Sequence, residues 1–492
     1  MRTTTVMLGG ATTALAMGLV ISMDGGWLQR GATAAPPPPL KPQPIATPGF
    51  PTPAATVNGW VTANDQAAIR AHGWALWAGM AATTPASGGW PIWETWYTDS
   101  EVTAGPPSKK SKVGANLRAL RAAGRPAHSF ERLRQFRHSA SLRRFTAPLA
   151  ALSAGGDQVI GFNKFNADYA DFVWANSYYD TNTLWNAQLG WPPSTPAVQR
   201  TLKPFPAPAI SLKPVFVVAR GPNNQSGITV LNYWLGDLTT GPKNSTNPTN
   251  PTPSTWKQCV VVNSGSSTTP SGLTCPNGGA PSGTIGVDKF FNFALSKEEA
   301  KSICSIQLGL PPNAACPVQE GDFALLVAMH VSTKEDDNWT WQTFWWNYNQ
   351  PFPYGAPPAA VPAPFNNYAM CTAYSMTVNP VNSKTGTNVL CYNPYLETGL
   401  SGVTGVQSNC MTCHGVASYG NNPNNPGYPS FANMSDYVSP TVPADDVTYY
   451  DCQTQTDFSW FLADLPTQPP PKPQPPCTTT AAPAAPKTPA PR

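Results

Sequence analysis

The longest stretch with a period of two runs from Phe323 to Val331. There Phe323, Leu325, Val327, Met329 and Val331 alternate with Ala324, Leu326, Ala328 and His330. A strand turns such residues to opposite faces of a sheet. The acidic turn Glu335-Asp336-Asp337-Asn338 leads into Trp339-Thr340-Trp341-Gln342-Thr343-Phe344, so Phe323–Trp346 is predicted to be a β-hairpin. Ile210–Leu212, Val215–Val218, Ile228–Leu235 and Cys259–Val262 read as further strands. The spacing turns helical over Thr62–Ala82, where Ile69, Leu76 and Met80 follow an Asn64-Asp65 start. Trp74, Trp77, Trp90, Trp93 and Trp96 cluster around it. Asn166 is placed to cap a short helix carrying Tyr169, Phe172 and Val173. The expected fold class is mixed α+β: a β-rich antiparallel sheet or sandwich body with peripheral helices.

The ends of the chain depart from this pattern. Thr3–Met23 is uncharged and rich in Ala, Gly, Leu, Met and Val, and Ala32-Thr33-Ala34 has the form of a cleavage site. Residues 1–34 are therefore expected to be an export signal or a membrane anchor, placing the protein in a bacterial periplasm or cell envelope. Nine prolines fall within Pro36–Pro53 and eleven within Pro466–Pro491. These mark a Pro-rich linker at 35–56 and a disordered tail at 466–492, both extended in the polyproline manner. Between them lie a body at 57–363 and a smaller, irregular, mainly helical module at 364–465.

Charge divides the body further. Charged residues make up 11% of the chain, far below the usual quarter or so, and this argues against a solvated coiled coil or a charge-extended disordered chain. Lys109–Arg144 nevertheless holds eleven basic residues against one acid, Glu131. That is +10 in a chain whose net charge is +4, leaving −6 elsewhere. Residues 107–149 thus read as a basic insertion with short amphipathic helices, interrupted at Gly124 and Pro126. It is suited to an acidic partner or an anionic lipid surface. For an exported chain no nucleic-acid partner is expected.

Ten cysteines agree with an oxidising compartment. Proximity favours Cys259 with Cys275, Cys304 with Cys316 and Cys371 with Cys391, and leaves Cys452 with Cys477; spacing alone does not settle connectivity. The remaining two form Cys410-Met411-Thr412-Cys413-His414. Two thiols at this spacing can add across the two vinyl groups of haem, and the adjoining histidine is then held under the iron. Other readings are weaker. A Cys410–Cys413 disulfide is a strained small ring that leaves His414 unused. A zinc site needs a fourth ligand, for which Cys452 is the only nearby candidate, and usually a second Cys or His pair at matched spacing. A thioredoxin-like motif needs a βαβ setting that the surrounding Gly, Asn and Pro do not supply.

On this motif the chain resembles the c-type cytochromes. The resemblance implies one covalent haem c on Cys410 and Cys413, with His414 as proximal iron ligand, and a redox partner protein. Thr456-Asp457-Phe458-Ser459-Trp460, Phe205–Phe216 and the stretch from His330 to Phe344 resemble, more loosely, exported proteins that end in one such motif, which implies no activity. Met434, 20 residues past His414, is the candidate distal metal ligand; Met370, Met376 and His330 are further donors. Lys213, His330 and Lys334 are candidates for a polar pocket on the sheet, and Glu335–Asp337 reads as a solvated turn rather than a calcium site. The sequence carries no Gly-x-Ser-x-Gly, phosphate loop, dinucleotide fingerprint or His-Glu-x-x-His. The expected function is single-electron transfer. The alternatives are a haem-dependent oxidoreductase whose body binds a substrate, and a tethered haem sensor.

Overall fold

The computed structural model describes residues 38–130, 159–192, 194–234, 256, 258–265, 268–276, 278–307, 309–311, 314–349, 351–352, 354–374, 391–397, 410–420, 450 and 453–465. The strands among them are β1 (Tyr97–Thr98), β2 (Ile160–Gly161), β3 (Lys164–Phe165), β4 (Ile210–Ala219), β5 (Ile228–Asn232), β6 (Cys259–Asn263), β7 (Thr284–Gly286), β8 (Asn292–Ala294), β9 (Phe323–Thr333), β10 (Thr340–Trp346), β11 (Tyr368–Thr372), β12 (Ser418–Tyr419) and β13 (Thr454–Gln455). Eight of them make one antiparallel sheet in the order β1-β3-β4-β9-β10-β11, with β2 also on β4 and β8 also on β9. β5, β6 and β7 form a separate three-stranded sheet, and β12 pairs with β13.

The predicted hairpin is β9–β10, in register from Thr340 opposite Thr333 to Trp345 opposite Ala328. The two short strands expected at 210–218 are a single strand running through Pro214. Proline there is tolerable because β2 ends opposite Val215 and β3 begins opposite Leu212, which leaves Pro214 between them. The missing N–H thus falls where no ladder bond is made on that side.

The helix expected over Thr62–Ala82 is divided. α1 (Ala54–Ala63) stops at Asn64 with φ 50°, and α2 (Gln66–Ala81) starts from Asp65, whose side chain accepts from Ala68 N at 3.0 Å. Asn166 likewise caps Ala167–Ala175 by accepting from Tyr169 N at 3.1 Å. α2 packs on one face of the main sheet, where Trp77 stacks on Phe344 with ring centroids 4.0 Å apart. Gly73 permits the approach, since a Cβ there would come within 2.8 Å of the Met370 sulfur. The three local disulfides, Cys259–Cys275, Cys304–Cys316 and Cys371–Cys391, are all present.

Several expected loose segments are instead bound to the body. The described part of the Pro-rich linker is extended but anchored: Leu40 N donates to Arg121 O at 2.8 Å and Trp96 Nε1 to Gln43 O at 2.7 Å. The acidic turn is not solvated. Glu335 and Asp336 are buried, and Glu335 accepts from Thr52 N at 2.6 Å and faces His72 Nε2 at 3.2 Å. The basic insertion contributes a helix, Lys112–Ala122, that ends before Gly124 and turns Arg121 inward onto Glu101. Residues 364–465, expected as a separate module, supply β11 to the main sheet. Residues 1–37, 131–158 and 466–492 lie outside the described residues. No helix among the described residues is long and apolar enough to cross a membrane.

The insertion is fixed to the body at His128. Its Nε2 lies 3.1 Å from Glu94 Oε2 and its Nδ1 2.7 Å from Glu299 Oε1, with the ring stacked 4.0 Å from Phe293. Carboxylates only accept, so both ring nitrogens donate and the ring is an imidazolium. Lys164 Nζ lies 2.8 Å from the same Glu94 oxygen. Burial works against charge on His128, but the Glu94 carboxylate and the bonds to Glu299 and Glu94 outweigh it and raise its pKa. Burial likewise opposes charge on Glu299, and His128 brings its pKa down to about 2.

Candidate functional site

Cys410, Cys413 and His414 lie on one short helix, Cys410–His414, with the two cysteines one turn apart. The helix is tied down from both sides. Met411 enters the core of the body. After His414 the chain passes directly into β12, whose partner β13 brings 453–465 back over the motif. Thr456 N then donates to Ala417 O at 3.0 Å, and Tyr169 and Ser459 share a 2.6 Å hydroxyl hydrogen bond.

This return places the Phe458 carbonyl 2.9 Å from His414 Nδ1. A carbonyl only accepts, so Nδ1 carries the proton and Nε2 keeps its lone pair. Asp457 and Phe458 both have left-handed backbones, with φ 49° and 65°. Such conformations are costly for non-glycine residues and need external support. The support is Asp457: Oδ1 accepts from Lys334 Nζ at 2.7 Å and Oδ2 from Phe205 N at 2.8 Å. The Trp341 ring covers the imidazole at 4.3 Å between centroids. Burial holds the His414 pKa down to about 3. The Phe458 bond opposes this, while His330 and Lys213 add to it. His414 is a neutral, oriented imidazole.

The register shows what else shares this face. Lys213 pairs with His330, which pairs with Thr343, and Trp341 stands two residues from Thr343. Alternation along the strands puts all four on the sheet face opposite α2. His330 Nε2 lies 2.7 Å from Glu397 Oε1. The Pro394–Glu397 turn follows the Cys371–Cys391 bridge and is pinned by Asn393, whose Nδ2 donates to Thr343 Oγ1 at 2.7 Å and Phe344 O at 2.8 Å; its backbone N–H donates to Glu397. Lys213 is buried, which lowers its pKa to about 7, with Glu397 and Asp464 opposing the shift.

The structure therefore brings His414, on the helix that also carries Cys410 and Cys413, to the face of Lys213 and His330, while Lys334 goes to Asp457. Met370 lies on the opposite face, beside Gly73, which removes it as a partner for His414. Met434, Met376, Cys452 and Cys477 lie outside the described residues. Glu397 carried no local signal, and Lys334, Asp457 and Phe458, though singled out in the sequence, carried none of their pairing or of the hold on His414; only the register and the fold of 453–465 reveal these. Among the described residues, no group of three His, Cys, Asp or Glu side chains converges to hold a metal. The chain matches no protein-family model, no curated protein and no solved structure.

Proposed function

We propose that this protein is a monohaem c-type cytochrome that transfers single electrons in the bacterial cell envelope. The observation that carries the reading is the His414 Nδ1–Phe458 carbonyl hydrogen bond at 2.9 Å, with the ring held neutral. Histidines that ligate metals donate their second ring nitrogen in this way, which fixes the tautomer and raises the basicity of the ligating atom. The donor set suits haem, a group that carries most of its iron's ligands itself and asks the protein for few, so the lack of a three-residue metal cluster among the described residues is compatible with it. Cys410 and Cys413 would hold it covalently and His414 would ligate the iron; when bound, haem supplies a one-electron ferric/ferrous couple. One electron taken from a reduced partner protein is passed to an oxidised one, with no other bond changed.

The chain's own residues do the rest. Trp341 and the 453–465 segment shield the imidazole from water, and Asp457 keeps the Phe458 carbonyl in place. Intact mass and a haemochrome spectrum of the purified full chain test the reading. One covalent haem is expected in the native protein and none in a Cys410→Ala, Cys413→Ala variant. Unmodified native protein, or a variant that keeps covalent haem, overturns it.

A further inference from the structure

The sheet face that holds His414 carries a second histidine whose chemistry is incomplete. His330 donates from Nε2 to Glu397 at 2.7 Å, so in the neutral ring the lone pair sits on Nδ1. That Nδ1 is buried and has no hydrogen-bond partner among the described residues. A buried acceptor left without a partner is a standing cost that folding ordinarily avoids. Glu397 is not a casual neighbour, because Asn393 locks its turn to Thr343 and Phe344 on the same sheet. The arrangement is a carboxylate-oriented imidazole with its other nitrogen unsatisfied, which is the state of a metal ligand awaiting its metal. His330 pairs with Thr343, two residues along β10 from the Trp341 that covers His414.

We infer that His330, through Nδ1, would give the iron of a bound haem its second protein ligand, in place of Met434. This rests on the covalent-haem reading above and deepens it. Two nitrogen ligands lack the thioether sulfur that raises the potential of histidine–methionine cytochromes. The protein then works at a lower potential, and Glu397 lowers it further by adding negative character to the ring. Lys213, beside His330, opposes that effect.

The test uses the full haem-loaded chain in the ferric state, read by electron paramagnetic resonance and visible absorption. The native protein is expected to be low-spin without a sulfur-to-iron charge-transfer band, and Met434→Ala to leave the spectrum unchanged. His330→Ala is expected to become high-spin, to regain the low-spin signal with added imidazole, and to keep its covalent haem by mass. Glu397→Gln, which preserves an acceptor and the shape, is expected to stay low-spin with a raised reduction potential, and it serves if the alanine variant does not fold. A sulfur–iron band in the native protein, a low-spin His330→Ala without added imidazole, or an unchanged potential in Glu397→Gln overturns the assignment. Covalent haem with any of these results leaves the attachment reading standing. A native chain without covalent haem removes both.

Discussion

His128 and His414 are both enclosed by the body, yet they end in opposite protonation states. Burial pushes both toward neutrality, so burial does not distinguish them. The partners do. His128 is clamped between two carboxylates and becomes a cation that staples the insertion to Glu94 and Glu299. His414 meets a carbonyl, which takes one hydrogen bond without adding charge, so the ring remains neutral and Nε2 remains basic. An imidazolium has no lone pair for a metal, whereas a neutral ring anchored through Nδ1 does. A buried histidine is thus read by the charge on its acceptor before its depth.

The strongest way to break this comparison is Glu94→Gln. It strips the shared anion from both Lys164 and His128 and is expected to cost about 3–5 kcal/mol in urea denaturation. A loss well under about 1 kcal/mol would mean that the clamp is not holding the charge assigned to it. Next is Lys334→Met, which removes the cation bracing the Asp457–Phe458 corner, with an expected loss of about 2–3 kcal/mol. Nitrogen NMR of His414 should then show its tautomer no longer confined to Nδ1–H, and an unchanged tautomer would assign the corner no role in orienting the ring.

The pH dependence sharpens the contrast. His128 has a raised folded pKa, so its contribution is complete below the unfolded value of about 6.5 and is lost as pH rises through the folded value. Glu299 limits the acid side, because its contribution is complete above about 4.5 and disappears as pH falls through about 2. His414 has the opposite sign to His128. Its folded pKa of about 3 makes its contribution complete above about 6.5 and lost as pH falls. In a Cys410→Ala, Cys413→Ala chain, His128→Phe should therefore abolish the loss at alkaline pH and shrink the Glu299 part of the acid loss, leaving the His414 part in place, a swing of about 1–2 kcal/mol. Parallel profiles with and without His128 would refute the imidazolium. The smallest effect expected is that of Trp341→Phe. It keeps a ring on His414 and forfeits the 2.9 Å Nε1–Asn338 carbonyl bond, for about 1 kcal/mol in thermal denaturation.

What the sequence made legible was local. The β9–β10 alternation, the Asp65 and Asn166 caps and the three short-loop disulfides are all set by neighbours within about 20 residues, and each was foreseen. The Cys410–His414 motif stands out because it is written in five consecutive residues; its place on one short helix is what the structure adds. The misreadings share one cause. Glu335 looked like part of a solvated turn because its partners, Thr52 and His72, come from more than 260 residues away. His128 stood out in nothing but a basic stretch, and its two carboxylates lie 34 positions upstream and 171 downstream. Phe458 offers only a main-chain carbonyl, an atom every residue has, so no side-chain pattern marks it.

The antiparallel return of 453–465 has a consequence for the timing of assembly. Tyr169–Ser459 joins residues 290 apart and Trp191–Thr454 residues 263 apart, so the layer that covers the motif closes only after nearly the whole sheet has been made. Contacts of such separation form late, because a long loop must be closed before they return anything. The cover over the Cys410–His414 helix is therefore among the last parts of the fold to close.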